Sequence, residues 1–190
     1  MDIYASEKQI DVVRKETFRT REIQTGDQIS VGHYTATCQE VTPLGALFLL
    51  DQYLDKDYPM NRKNTNEGGY EKSDLRKKLN SEEVLEIFGD LRERMAPFEN
   101  GDLLRIPFHG EIFGEEDASY FEPDGCQQWP LMKDRKNRIA FRQNRWEWGW
   151  LQNRLKDSAA ANFCGVGSLG AASSTSASYS HGVRPAFLIN

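Results

Sequence analysis

Cysteine is scarce in this chain. The 190 residues carry three, Cys38, Cys126 and Cys164, an odd number with no C-x-x-C spacing. That excludes a disulfide framework and a zinc knuckle, which need paired or closely spaced thiols. Three reduced thiols fit a reducing compartment. Long apolar runs are missing as well. None approaches the ~18 residues a membrane span requires, so no membrane span is expected. Met1-Asp2-Ile3-Tyr4-Ala5-Ser6-Glu7 has neither the basic nor the apolar part of a signal peptide, and the expected location is cytoplasmic. Positive charge is in deficit, with 24 Lys and Arg against 29 Asp and Glu, a net charge of −5. A phosphate-backbone binder needs clustered cations, so no nucleic acid partner is expected. The phosphate loop G-x-x-x-x-G-K-[ST] is absent. The Asn-, Asp- and Gly-rich stretch 55–70 lacks EF-hand spacing. Neither a metal nor a cofactor is expected, and the three histidines His33, His109 and His181 define no nucleophile–base pair by spacing.

What is present describes a folded domain. Hydrophobic residues make up 38% and charged residues 28%, a globular balance rather than a disordered one. Residues 1–22 read as an N-terminal arm or short helix, and 23–190 as a single domain. Residues 23–54 have the turn chemistry of a β-meander, and Ala46-Leu47-Phe48-Leu49-Leu50 reads as a central strand buried on both faces. Ser73 is placed to cap a helix. Asn80 and Glu83 have the spacing of a reciprocal cap for a second one. Val84, Leu85, Phe88, Leu91 and Met95 recur at three and four residues, one buried stripe that Pro97 ends. Leu103 to Phe108 reads as a short strand. An acidic segment (Glu111 to Asp124) and a basic one (Lys133 to Arg145) follow, and their charges could pair across the surface.

The last stretch organises the rest. Trp146, Trp148 and Trp150 alternate, so on one strand all three would share a face. That face is either core or an aromatic platform for a sugar or peptide. Residues 158–181 are almost wholly Ser, Ala and Gly, read as a meander of short strands with a shallow, adaptable surface. His181 is read as a surface turn residue. Gly182 is expected to supply a backbone turn, Arg184 an ion pair or hydrogen-bond fork, and Pro185 the start of a strand. Ala186–Ile189 is an apolar ending that must be paired and buried, because free chain ends fray. The candidate ligand-binding residues are Trp146, Trp148, Trp150, Asn162, Phe163, Ser168, Ser174, Ser176 and Tyr179.

Two motifs carry a resemblance. Tyr70-Glu71-Lys72-Ser73-Asp74-Leu75-Arg76-Lys77-Lys78-Leu79-Asn80 matches a Y-x-x-S-x-L-R-x-x-L-N segment, and Gly182-Val183-Arg184-Pro185-Ala186-Phe187 matches a G-V-R-P-A-F ending. Over roughly residues 23–190 the chain resembles a domain family of phages, prophages and Gram-positive gut bacteria. The family's W-W-L-R-S-P element is matched only in part, by Trp148-Gly149-Trp150-Leu151, without its Arg-Ser-Pro. The ending also resembles that of C-type-lectin-like folds, including formylglycine-generating enzymes and the variable proteins of diversity-generating retroelements. The resemblance implies an α+β, C-type-lectin-like domain with small twisted antiparallel sheets and two flanking helices. Its N- and C-terminal strands would pair centrally, the C-terminal one buried, and Arg76, Gly182, Arg184 and Pro185 would be structural. It further implies a non-enzymatic phage or prophage protein, cytoplasmic or virion-associated, that presents its C-terminal surface to a protein or glycan. An intracellular regulator of a host or rival-phage protein and a retroelement-diversified receptor binder are the alternatives. A formylglycine-generating-type oxidase is least expected, since it needs neighbouring cysteines.

Overall fold

The computed structural model describes residues 22–156 and 161–190. The expectation for residues 1–22 falls outside them, Glu22 apart. Among the described residues the chain is α+β, with antiparallel sheets and short helices. No helix among them is long and apolar enough to cross a membrane.

The first three strands are β1 (Gln28–Val31), β2 (Tyr34–Thr42) and β3 (Gly45–Leu50), a meander joined by tight turns. Gly45 opens β3 at φ +130°, and a Cβ there would lie 2.6 Å from the Ile189 carbonyl oxygen. Only glycine combines that dihedral with that clearance. A short β4 (Tyr58–Pro59) follows, and then the helices α1 (Asp74–Leu79) and α2 (Glu82–Leu85). Ser73 caps α1, its Oγ accepting from the Arg76 N–H at 3.0 Å.

The second helical segment departs from the sequence reading in two ways. Asn80 does not pair with Glu83. Its Oδ1 accepts from the main-chain N–H groups of Leu103 and Leu104, its Nδ2 donates to the Leu104 carbonyl, and Glu83 pairs with Lys78 instead. The tertiary contact satisfies two main-chain donors that a local cap would leave open. The stripe is not one helix either. After α2 it continues as 3-10 helix over Glu86–Arg94, broken at Gly89 (φ 48°, ψ −133°), and Met95 belongs to strand β5 (Met95–Ala96).

Helix α3 (His109–Phe113) and helix α4 (Arg135–Arg138) lie in the loop-rich middle. The expected strand over Leu103–Phe108 reduces to a single bridge between Arg105 and Ala186. Pro107 has no N–H, and its carbonyl accepts from Gln152, so the ladder stops there. Of the charge pairing expected between the acidic and basic segments, Arg138 Nη1 with Glu116 Oε2 at 2.7 Å forms.

The chain closes through β6 (Phe141–Arg142), β7 (Arg145–Trp146), β8 (Gly149–Arg154), β9 (Asn162–Val166), β10 (Ala172–Ser176), β11 (Ser180–His181) and β12 (Ala186–Ile189). The main sheet has the order β1-β2-β3-β12-β5, and a second has β10-β9-β8. The last strand is therefore interior, with Phe187 opposite Phe48 and Leu188 opposite both Leu47 and Ala96. It does not pair with the first described strand, as a central pairing of the two ends would require. β1 lies at the sheet edge, because the meander keeps β2 and β3 between them.

Alternation explains the continuous apolar runs. Ala46, Phe48, Leu50, Phe187 and Ile189 face one core with Leu75, Leu79, Phe88 and Trp150. Leu47, Leu49, Ala186 and Leu188 face a second core with Ile112, Phe113, Phe121 and Trp129. A sheet covered on both faces needs no polar alternation.

Gly182 does not make a turn. It forms a parallel bridge to Gly149, with Trp150 N–H donating to the Gly182 carbonyl (3.1 Å) and Gly182 N–H to the Trp148 carbonyl (2.8 Å). The Tyr53 ring packs where a side chain would sit on either glycine, 2.5 Å from a Cβ on Gly182 and 2.4 Å from one on Gly149. Gly182→Ala is expected to lose about 1–3 kcal/mol through overpacking. Gly167→Ala, whose Cβ would meet nothing closer than 3.5 Å, is expected to lose far less. Urea unfolding of both variants measures the difference, and equal midpoints would show that Tyr53 yields without cost.

Candidate functional site: an aromatic hairpin beside a buried arginine

Strands β6 and β7 form a two-residue hairpin. Gln143 (φ 48°) and Asn144 (φ 63°) both take the left-handed conformation at its tip, as a type I′ turn requires. Phe141 lies opposite Trp146, ring centroids 5.9 Å apart and edge-on. Beneath them Arg142 Nη2 donates to Asp57 Oδ2 (2.7 Å) and to Glu147 Oε1 (2.9 Å), so two half-buried carboxylates anchor the hairpin's base. The rings above stay in solvent, Phe141 40% exposed and Trp146 56%. Trp148 follows at 38% exposure and stacks on the His181 ring at 6.0 Å. His181 is half-buried rather than a free turn residue. It also meets Trp150 edge-on at 4.9 Å and lies 3.4 Å from Thr175 Oγ1.

Phe141 also lines a cleft of about 510 Å3 shared with Gln28, Thr37, Asp51, Gln52, Lys136 and Arg184. Arg184 is nine-tenths buried. Its Nε donates to the Leu50 carbonyl (2.6 Å) and its Nη1 to the Asn137 carbonyl (3.0 Å), a fork onto main chain. No carboxylate lies within 4.0 Å of it among the described residues, so the ion pair is the half of the expectation that does not form there. Burial pulls its pKa down, and Tyr53 and Asp51 push it back. A guanidinium nonetheless stays charged. Asp51 accepts from Thr37 Oγ1 (2.7 Å) and Gln28 Nε2 (3.2 Å). In the same wall Gln39 donates to the Thr37 carbonyl, and its buried Oε1 accepts nothing among the described residues.

The candidate residues from the sequence do not gather on one face. Trp150 is in the core at 2% exposure, its Nε1 donating to the Tyr58 carbonyl (2.8 Å), and Phe163 is fully buried edge-on to it. The three tryptophans do not share a strand, because the chain leaves the hairpin at Trp146 before β8 begins at Gly149. Ser174 and Ser176 pair with Cys164 and Asn162, which places all four on one face of the second sheet. Thr175 and His181 sit on the other face, with Phe163. Ser168 lies in the β9–β10 turn, and Tyr179 is exposed just before β11. Arg76, expected to be structural, clasps Asp102 through Nε and Nη2 at 2.5 and 3.2 Å. Pro185 immediately precedes β12, and its carbonyl accepts from Leu50 N–H at 3.0 Å. Phe141, Asp51, Gln39 and Lys136 escaped the sequence reading. The alternation Phe141-Arg142 and Arg145-Trp146 about a polar pair was the one available signal for the hairpin.

A second cavity, of about 500 Å3, holds His109, Asp124 and Cys126. His109 is buried between Phe113 and Phe121, with Nε2 unpartnered among the described residues. The Cys126 thiol is pushed up to about 12 by burial, then by Glu111 and Asp124, so it is no thiolate at neutral pH. Cys164 is pushed up by burial as well. Among the described residues no group of three or more His, Cys, Asp and Glu side chains is placed to hold a metal ion.

No protein-family model, no curated protein and no solved structure gives a significant match to this chain.

Burial lowers the pKa of both His109 and His181, against an opposing pull from Asp124, Asp117 and Glu116 on the first and from Asp57 and Glu147 on the second. Both imidazoles thus stay neutral in the fold where the unfolded chain would protonate them. Below an unfolded pKa of about 6.5 the unfolded state binds more protons, so stability falls as pH drops from there. Melting temperature is expected to be lower at pH 5.5 than at pH 7.5, with a shallower slope in His109→Gln. A flat profile would mean that the rings protonate as readily in the fold as in the unfolded chain.

Proposed function

We propose that this chain is a non-enzymatic ligand-binding protein that presents its C-terminal surface, through the hairpin of Phe141 to Trp146 and the adjoining Trp148, to a protein or glycan. The observation that carries this is the exposure of three rings within eight residues. Phe141 and Trp146 lie open on an anchored hairpin and Trp148 just beyond it, while Trp129 and Trp150 are buried. Large rings held in water on a rigid support offer binding area at low entropy cost. The protonated thiols of Cys126 and Cys164 favour binding over thiolate chemistry. A C-type-lectin-like architecture fits the interior β12 and the G-V-R-P-A-F segment that leads into it. The resemblance in that segment favours a phage or prophage origin, and with it a ligand on a bacterial host.

The test is capture from Gram-positive envelope and lysate fractions and from a glycan array, native chain against Trp146→Ala and Trp148→Ala. Because both rings are exposed, circular dichroism and melting temperature should barely change. A partner bound by the native chain should lose about 2 kcal/mol, some thirtyfold, in at least one variant. Undiminished capture by both would move the site off the hairpin.

A further inference from the structure

The cleft next to the hairpin carries a net positive charge among the described residues. Arg184 is nine-tenths buried and charged, with two of its nitrogens bonded to neutral main-chain carbonyls and no bond from Nη2 to a described residue. Burying a cation is costly unless a counter-charge or a full set of acceptors meets it. Lys136, on the same wall, has no carboxylate within 4.0 Å among the described residues either. Asp51, the one acid lining the cleft among the described residues, already holds bonds from Thr37 and Gln28. The wall therefore presents two cations against one engaged carboxylate. Around them, the amides of Gln28 and Gln52 and the hydroxyl of Thr37 offer both donors and acceptors. An aromatic edge, Phe141 backed by Trp146, completes the rim.

We infer that this cleft is the subsite of an acidic saccharide, with a sugar carboxylate on Arg184 and Lys136, ring hydroxyls on the amide and hydroxyl wall, and a neighbouring sugar ring on Phe141 and Trp146. With Nε and Nη1 held by main chain, Arg184 Nη2 is left to donate a charge-assisted bond to a carboxylate oxygen, and Lys136 adds a second cation. Mixed donors and acceptors suit vicinal hydroxyls better than they suit an aliphatic side chain. The volume of about 510 Å3 is ample for a sugar residue, and Phe141 in its lining joins it to the hairpin. This rests on the ligand-binding reading of the hairpin and names its ligand class.

The experiment titrates the full chain with trigalacturonate, with neutral chitotriose and with triaspartate, followed by calorimetry and by tryptophan fluorescence. Trigalacturonate is expected to bind at least tenfold more tightly than the other two. Lys136→Glu, at an exposed position, should cut that affinity about tenfold without changing the fold. Arg184→Lys should cut it further where the variant folds. Equal affinity for the acidic and neutral trimers would overturn the inference, as would trigalacturonate binding untouched by Lys136→Glu. Triaspartate binding alone would transfer the cleft to a peptide carboxylate and overturn it too, as would no saccharide binding at millimolar concentration. Chitotriose binding that Trp146→Ala abolishes would leave the hairpin's ligand-binding role standing while the acidic subsite falls. Loss of the hairpin role shows separately, as capture indifferent to Trp146 and Trp148.

Discussion

Three glycines set how closely the two larger sheets approach. Gly149 at the start of β8 bridges Gly182 on the approach to β12, and Gly165 of β9 sits where a Cβ would lie 2.7 Å from the Gly149 carbonyl oxygen. Tyr53 covers the first two, its hydroxyl donating to the Glu147 carbonyl at 3.5 Å. None of the three has positive φ, so none is there for backbone freedom. They are there because main chain passes main chain with a ring between, which leaves no volume for a methyl group. That contact joins the second sheet to the strand threaded through the first. It also sets the course of the chain after Gly182. The Val183 carbonyl accepts from Leu54 N–H, Arg184 turns into the cleft, and Pro185 hands the chain to β12.

Arginine does in the loop-rich middle what strands do elsewhere. Between Ala96 and Phe141 there is little regular structure, yet Arg105 is nearly buried and clasps Glu111 in a bidentate pair (2.7 and 2.5 Å), with the Phe98 ring 4.8 Å away. Glu111 in turn accepts from Phe108 N–H and starts α3. Arg76 holds Asp102, and Arg138 donates to the Met132 carbonyl while pairing with Glu116. Such buried pairs add little net stability over an apolar substitute, but removing one partner is costly. Their value lies in direction, since a planar fork fixes two loop segments at one angle. Gln152 and Asn153 continue the pattern without charge. The first donates to the Ile106 carbonyl, and the second accepts from His109 N–H and donates to Asp124. Arg184 differs from these groups in that its bonds go to main-chain carbonyls alone, and it lines a cleft in which Asp51 is the one acid among the described residues.

The sequence was most legible where one constraint acted alone. Ala46–Leu50 and Ala186–Ile189 are continuous apolar runs, and only a sheet covered on both faces accommodates them. Ser73 was legible because a cap is a local hydrogen bond. Asn80 was not, because its spacing to Glu83 competes with two distant N–H groups that no local pattern reveals. The tryptophans misled for a related reason. Alternation predicts a shared face only within one strand, and the chain changes strand between Trp146 and Gly149. Gly182 and His181 were misplaced because a glycine beside a histidine has the composition of a turn, whereas the space against Tyr53 and the stacking on Trp148 come from segments far off in sequence. The cleft was illegible for the same reason. Gln28, Asp51, Lys136 and Arg184 span more than 150 positions.

The small residues before the last strand have a physical account other than an adaptable display surface. β9 alternates Phe163 into one core and Cys164 and Val166 into the other, so both of its faces are committed. β10 lies at the edge of its sheet. Its ladder runs through alternate residues, as the bonds of Gly167 N–H to Ala171 and of Ala177 N–H to Ala161 show, so the main chain of Ala172, Ser174 and Ser176 points away from β9. An open edge invites pairing with another chain, and the hazard grows with length and hydrophobicity. Five residues reading Ala-Ser-Ser-Thr-Ser keep that edge short and poor in apolar surface. The same small, polar composition keeps that edge unattractive to another chain. Rings on such an edge would undo its purpose, which is consistent with their location on the hairpin, where both strands already pair with each other and Arg142 ties the base to two carboxylates.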